Sequence, residues 1–460
     1  SSSQIVYTII IGTVMIAMAL GNVYGGKTAD KNPDPAILYR RMLIAGAWIA
    51  AIPFLGRYVL IAITGALVLT VNSNFLVIAA FASCMVVFVF PLFLLGTVTP
   101  SLVRYIMENA EESGEIVGKL GAFNTVGSII GTFLPTFVTI PAIGTAATFV
   151  IFSGILIVLS ALYFISIKKF PKTLIICVII FALCMIFGSK VSFAFWDDDI
   201  NYEGESVYNY LQVVEDDDEV VLSTNVLFGV QSVKMKTDSL TGMYYDYAIA
   251  APAMAKKSGS PLEILILGNG TGTFATQCEK YYVPCNIDAV EIDGKISDLA
   301  YEYFDMSEDI NLYEYDGRAF LQAIDKKYDV ILVDAYQDIT IPFQMSSLEF
   351  FSLVKEHLVD DGVMVVNMNM HSDGEGAINE YLTDTILEVF DYAYSADVEY
   401  NSNRELFAGN VKPKDMLSIK LDDPSLDSVL RRQLRKVYGL LKPCEKSGLG
   451  HVLTDDKAPV

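Results

Sequence analysis

Ile264-Leu265-Ile266-Leu267-Gly268-Asn269-Gly270-Thr271-Gly272 reads as a strand that runs directly into a glycine turn and then a helix. Four consecutive apolar residues mark a strand covered on both faces. Glycine at every second position afterwards allows a tight turn and close backbone approach, and the helix start beyond it offers free N–H groups to a ligand. The spacing is GxGxG. The dinucleotide fingerprint GxGxxG would have its last glycine at Thr273, so the loop alone does not name its ligand.

Working outward, apolar runs at Ile287–Val290, Val330–Val333 and Val363–Val366 alternate with amphipathic stretches such as Ile296–Phe304 and Leu348–Leu358. That alternation predicts a mostly parallel sheet with helices on both faces, whose ligands bind at the carboxyl ends of the strands. The chemistry gathers at those ends. The second strand ends at Glu291-Ile292-Asp293, about twenty residues beyond the glycine turn, where a carboxylate can take both hydroxyls of a ribose. A third strand position leads to Asp316-Gly317, and the fourth to Asp334-Ala335-Tyr336-Gln337-Asp338. Any one of these acids reads as a helix cap or a solvated side chain. The ordered set reads as a nucleoside-type site. Before them, Val213–Val214 and Val220–Leu222 flank the acidic run Glu215–Glu219 and predict a β-hairpin with a solvated tip.

Composition divides the chain of 460 residues, which carries a formal net charge of −22 and is 53% hydrophobic. Residues 1–189 hold 10 Lys and Arg against 6 Asp and Glu, a net +4; residues 190–460 hold 22 against 48, a net −26. Disorder, collagen and a small disulfide scaffold are excluded, and the acidic part would repel nucleic acid. Apolar stretches near 5–25, 42–64, 74–97, 120–140 and 145–167, with a shorter one at 173–188, predict about six spans of a bilayer. Gly21-x-x-x-Gly25 and Gly127-x-x-x-Gly131 place small residues on one helix face for close packing. No Asp or Glu lies within a span, which disfavours ion-coupled transport. Six cysteines without a CxxC, and three histidines, His357, His371 and His451, make no zinc-type ligand set, so no metal is expected. The expected organisation is a transmembrane helical domain at 1–189, a β-hairpin subdomain at 190–255 and an α/β domain at 256–460.

The stretch from Ser206 to Asn367 resembles the spermidine synthase (polyamine aminopropyltransferase) family, and the whole chain is similar to its membrane-fused branch. Ser206-Val207-Tyr208-Asn209 resembles the family's S-P-Y-Q, Gly229-Val230-Gln231-Ser232 its G-V-Q-S turn and Tyr245-Asp246 its Y-H pair. Gly268–Gly272 stands where the family has G-G-G-D-G, Val290–Asp293 where it has V-E-I-D, and Tyr328–Asp334 where it has Y-D-V-I-x-V-D. Ile341-Pro342-Phe343, Leu453–Pro459, Ala17–Gly26 and Pro91–Arg104 resemble the fused branch. The resemblance also suggests a chain trimmed at both ends.

The resemblance implies a class I adenosylmethionine-type (Rossmann-like) fold binding decarboxylated S-adenosylmethionine. Glu291 would hold the ribose and Asp316 the adenine amino group. Gly268, Gly270 and Gly272 would line the methionine-derived part, with Thr271 and Asn209 beside it. Asp334 would orient the acceptor amine, whose pKa lies near 10, and accept its proton. Asp338 would bind the acceptor's cationic group, while Tyr208, Tyr245 and Asp246 would border its channel. A small amine or polyamine is the implied acceptor, and a homodimer the implied assembly. Three positions depart from the family: Thr271 stands for its Asp, Asn209 for its Gln and Asp246 for its His. Without the loop acid, intact S-adenosylmethionine also becomes admissible. An aminopropyltransferase, a methyltransferase and a catalytically silent nucleoside- or polyamine-sensing membrane module therefore all stay open. The expected location is the plasma membrane. Donor supply argues for a cytoplasmic α/β domain, whereas positive-inside counting over six spans puts it on the other side.

Overall fold

Backbone polar groups in long apolar runs must be satisfied within the segment, and the N-terminal part is helical along nearly all of its described residues. The computed structural model describes residues 2–68, 75–107, 113–188, 199–224, 229–255, 261–334, 342–368 and 376–457. The chain divides into two units, Ser1–Asp197 with Gly204–Val207, and Asp198–Glu203 with Tyr208–Val460.

The first unit contains α1 (Ser2–Lys31), α2 (Pro35–Val68), α3 (Phe75–Gly96), α4 (Val98–Ile106), α5 (Ser113–Leu134), α6 (Ile140–Ser166) and α7 (Lys172–Gly188). Among the described residues, four stretches are long and apolar enough to cross a membrane: Tyr7–Lys31, Pro35–Ile63, Phe81–Ile106 and Gly114–Ser166; Lys172–Gly188, with 17 residues, is shorter. The 53-residue stretch Gly114–Ser166 is broken at Gly144, where φ 82° and ψ 163° suit only glycine. That break lies between the two expected spans at 120–140 and 145–167. The first small-residue motif packs closely, because a Cβ on Gly21 would lie 2.2 Å from the Phe93 carbonyl oxygen and one on Gly25 would strike Thr97. The second does not among the described residues: Gly127 and Gly131 have nothing there within 4 Å of an added Cβ. Leu43 and Ala47 of α2, Ile157 and Phe164 of α6, and Leu174 and Cys177 of α7 form a buried core.

β1 (Ile200–Glu205), β2 (Tyr210–Glu215), β3 (Glu219–Ser223) and β4 (Val230–Met235) form a four-stranded sheet in that order, and all of it but Gly204 and Glu205 belongs to the second unit. The acidic run turns between β2 and β3, which pair antiparallel with Glu215 opposite Val220. Leu211, Val213, Val220 and Leu222 bury against Ile296, Leu299 and Phe304 of the α/β part. The hairpin sheet and the α/β part share this core.

Two short helices, α8 (Tyr245–Ala248) and α9 (Ala251–Met254), lead into β5 (Leu262–Leu267), α10 (Thr273–Tyr281), β6 (Cys285–Glu291), α11 (Gly294–Tyr303), β7 (Asn311–Glu314), α12 (Gly317–Ala323) and β8 (Tyr328–Val333). Then come α13 (Leu348–Glu356), β9 (Leu358–Met368), α14 (Ile378–Val389), β10 (Tyr392–Asp397), β11 (Arg404–Gly409), α15 (Pro413–Leu421), α16 (Ser428–Leu440) and β12 (Lys442–Pro443). The eight strands run in the order β12-β10-β11-β9-β8-β5-β6-β7. Pairs among β5 to β9 are parallel, and β11 joins β9 antiparallel. This is the class I adenosylmethionine-type α/β arrangement. The antiparallel extension from β10 to β12 goes beyond the sequence expectation. Alternate residues serve opposite cores: Ile264 and Ile266 belong with Tyr244, Phe274 and Leu434, whereas Leu265 and Leu267 belong with Phe320, Phe350 and Phe351.

The chain's terminal part is fixed to this unit. Leu453 is buried, Arg318 makes two hydrogen bonds of 2.7 and 2.6 Å to the Asp455 carboxylate, and the Ser347 hydroxyl adds a third.

Candidate active site

Register sets the site. Leu267 is level with Val290 on one side and with Val333 on the other, and Val333 is level with Val366. The next residues along these four strands are Gly268, Glu291, Asp334 and Asn367, so they form one row along the carboxyl edge of the sheet. Strand order reverses at β5, and that switch point is where open α/β sheets leave a crevice. A cleft of about 470 Å³ lies there, lined by Gly268, Gly270, Glu291, Asp316 and Asp334, with Tyr208 and Asn209 at its side.

Gly268, Gly270 and Gly272 all take positive φ, of 92°, 54° and 85°. A Cβ on Gly270 would lie 2.8 Å from the Ser232 hydroxyl, so both conformation and space require glycine there. The Gly270 N–H donates to Glu291 Oε2 at 2.8 Å and the Asp293 N–H to Oε1 at 3.0 Å. Glu291 is therefore both the acid at the end of β6 and the brace of the glycine loop. Burial pushes its pKa up to about 7 despite these donors. Asn209 reaches the same corner through its Nδ2–H to Asp293 Oδ2 at 2.9 Å. Asp316 caps α12, its Oδ1 accepting the Ala319 N–H at 2.8 Å.

Asp334 accepts the Tyr244 hydroxyl on Oδ2 at 2.7 Å and the Asn367 Nδ2–H on Oδ1 at 2.8 Å. Burial raises its pKa to about 7, the two donors offsetting only part of that cost. A carboxylate so held can take a proton near neutrality, which suits a general base. Both shifts bear on stability. In the unfolded chain the two acids titrate near 4, so between there and about 7 the folded state binds more protons, and stability from these groups falls as pH rises. Each contributes a loss on the order of 3–4 kcal/mol above that window. Thermal scans of the ligand-free protein are expected to show a flatter decline between about pH 5 and 8 for Asp334→Asn than for the wild type; an unchanged slope would refute the assignment.

Other expected residues fall elsewhere. Tyr245 is buried beside the cleft, donating its hydroxyl to the Gln231 carbonyl at 3.0 Å. It lines a small cavity shared with Tyr244 and Asp334. Asp246 is away from the cleft and buried; it accepts from Thr241 Oγ1, the Gly242 N–H and Gln277 Nε2, which makes it an anchor of the turn before α8. Thr271 is also buried and borders a separate cavity of about 130 Å³. Gly272 supports the loop as the left-handed residue before α10, where an added Cβ would lie 2.8 Å from Met306 Sδ. Asp338 lies outside the described residues. Sequence reasoning missed Tyr244, Asn367 and the wall formed by Phe343, Gln344 and Met345. Asn367 carried the same signal as Glu291, a polar residue directly after an apolar strand run. Among the described residues no group of three or more His, Cys, Asp or Glu could hold a metal ion.

Residues 243–399 match the model of the spermine/spermidine synthase domain. A probable polyamine aminopropyl transferase of Bifidobacterium longum is 51% identical over 314 residues, covering 65% of this chain and 70% of that protein. The polyamine aminopropyltransferase of Vibrio vulnificus is 30% identical over 197 residues, covering 41% and 65%. A solved probable spermidine synthase from Corynebacterium glutamicum superposes with a TM-score of 0.41 at 21% identity, covering 51% of this chain and 93% of that one. With half the aligned residues shared with the Bifidobacterium protein over most of its length, the chain belongs to the spermidine synthase (polyamine aminopropyltransferase) family.

Proposed function

We propose that the protein is a membrane-anchored aminopropyltransferase that uses decarboxylated S-adenosylmethionine and a small amine or polyamine acceptor. One observation carries the choice of donor. The cleft is lined by three carboxylates, Glu291, Asp316 and Asp334, and by no Lys, Arg or His among the described residues. A decarboxylated donor brings a sulfonium and an ammonium, both welcome there. The carboxylate of intact S-adenosylmethionine would find no cation among the described lining residues and would lie on the side of Asp334.

The residues present fit such a nucleoside. Glu291 supports binding by accepting the ribose hydroxyls, and the Gly268–Gly270 turn permits close approach of the chain beyond the ribose. Asp316 faces the adenine end, with one oxygen occupied by the α12 cap. The donor supplies an activated methylene: the acceptor nitrogen forms a bond to it as the carbon–sulfur bond breaks and sulfur leaves as a neutral thioether. Asp334 holds the acceptor nitrogen on one side and takes the proton that nitrogen releases, with Tyr244 and Asn367 fixing the carboxylate's orientation. Anchoring is supported by the four long apolar helices. A cytoplasmic placement of the α/β unit suits a donor made inside the cell.

Calorimetry on the full chain in detergent tests the donor. Decarboxylated S-adenosylmethionine is expected to bind at least roughly tenfold tighter than the carboxylated form, a difference of about 1.4 kcal/mol. Binding of the carboxylated form alone would exclude aminopropyl transfer.

A further inference from the structure

The stretch Leu453-Thr454-Asp455-Asp456-Lys457 lies beyond residues 243–399, which match the family model, and outside the row of strand-end acids. It closes on itself. The Thr454 N–H donates to the Lys457 carbonyl at 3.1 Å and the Lys457 N–H to the Thr454 carbonyl at 2.9 Å, so Asp455 and Asp456 form the tip of a tight turn. The turn is anchored just before its tip. Leu453 shares a buried core with Phe350, Phe351, Leu382 and Ile386. Its N–H donates to Thr385 Oγ1 at 2.9 Å, and its carbonyl accepts the Leu348 N–H at 2.8 Å.

That anchor sets Asp455 against the wall of the main cleft. Its two oxygens accept the Arg318 guanidinium at 2.7 and 2.6 Å, and Oδ1 also accepts the Ser347 hydroxyl at 2.6 Å. Each partner leads to the cleft. Ser347 stands two residues after Met345 and caps α13, its Oγ accepting the Phe350 N–H at 3.2 Å. Arg318 follows Asp316 and Gly317 at the start of α12, and its Nη1 donates as well to the Gln344 carbonyl at 3.0 Å. Phe343, Gln344 and Met345 line the cleft together with Asp316 and Gly317. A Cβ on Gly317 would lie 3.2 Å from Met345 Cε, so wall and helix start are in close contact.

A forked pair fixes a guanidinium in its plane and thereby aims its remaining N–H. Arg318 holds the Asp455 carboxyl at about 2, below the usual carboxylate range, so the pair is ionised near neutrality. The charges of Glu349 and Asp316 act on the same guanidinium. Without Asp455 they would draw it off the Gln344 carbonyl and leave the wall without its brace.

We infer that Asp455 is a positioning residue of the donor site: through Arg318 and Ser347 it holds the Phe343–Met345 wall against the Asp316 end of the cleft. This rests on the reading of the cleft as a nucleoside-donor site. Asp455 touches no substrate, so its loss weakens donor binding and spares the chemical step.

The test compares the wild type, Asp455→Asn, Arg318→Gln, the double variant and Lys446→Gln as full chains in detergent. Donor affinity is read by calorimetry with decarboxylated S-adenosylmethionine, and kcat by transfer to a small diamine. Asp455→Asn is expected to bind the donor roughly 10-fold more weakly, the low end for a hydrogen bond to a charged group, with kcat at saturating donor nearly intact. The double variant should bind no more weakly than the weaker single variant, because both changes break one linkage. Lys446→Gln removes an ion pair with Glu388, earlier in the same part of the chain, and should bind the donor like the wild type. Asparagine keeps the shape of Asp455 and leaves the Leu453 anchor in place, so folding is expected to survive, as a thermal midpoint would show. Wild-type donor affinity in Asp455→Asn, additive losses in the double variant, or an equal loss in Lys446→Gln would each overturn the inference alone. A wild type that binds no decarboxylated donor would overturn the donor reading together with it.

Discussion

Replacing Asp334 by Asn is expected to lower kcat for transfer roughly 10²- to 10⁴-fold, the usual span for loss of a positioned base, with donor affinity nearly unchanged. Asparagine keeps the shape at the end of β8, and its side-chain oxygen can still accept the Tyr244 hydroxyl. It cannot take a proton from the acceptor. The pH profile separates this from a structural defect. On the proposed mechanism the active form carries ionised Asp334, so kcat/KM for the acceptor in the wild type should rise as pH passes about 7 and then level off. The residual rate of Asp334→Asn should lack that ascending limb. Wild-type activity in Asp334→Asn, or an unchanged limb, would remove Asp334 from the chemistry.

The second large effect is expected at Glu291, and it falls on binding. Glu291→Gln should weaken the donor about 10²-fold, as a raised KM or dissociation constant, and lower kcat far less. Two losses combine. On the proposed binding mode the ribose hydroxyls lose a charged acceptor, and the glycine loop loses its brace. Both Glu291 oxygens accept backbone N–H groups, from Gly270 and Asp293, so a glutamine amide must point its NH₂ at one of those donors. The Gly270 turn then shifts from its position at φ 54°. Donor titration by calorimetry checks this. Equal donor affinity in Glu291→Gln and the wild type would mean that the nucleoside does not lie at the end of β6.

These two acids were legible in the sequence for a physical reason. A carboxylate directly after a run of apolar strand residues is forced to the edge of the sheet by the strand itself, whatever the rest of the fold does. The parallel core from β5 to β9 was legible for a related reason, since strands buried on both faces carry unbroken apolar runs. What depended on tertiary docking was not. Tyr244 and Tyr245 are adjacent, and only the seating of α8 over the sheet decides that Tyr244 meets Asp334 while Tyr245 turns to the Gln231 carbonyl. Asp246, expected near the acceptor channel, is instead drawn inward by the donors of Thr241, Gly242 and Gln277. The same holds at Thr271: its neighbours Gly270 and Gly272 have positive φ, and the residue borders the smaller cavity instead of the main cleft. Substitution of an acid by Thr271 therefore says less about the donor than the loop motif suggests.

Identification of the transferred group tests the central claim most directly. The full chain would be given decarboxylated and intact S-adenosylmethionine together at equal concentration, with a small diamine as acceptor, and the products identified by mass spectrometry. A cleft lined by Glu291, Asp316 and Asp334, with no cation among its described lining residues, predicts a diamine extended by one aminopropyl group, with methylthioadenosine as co-product. A methylated diamine, with S-adenosylhomocysteine as co-product, would contradict it.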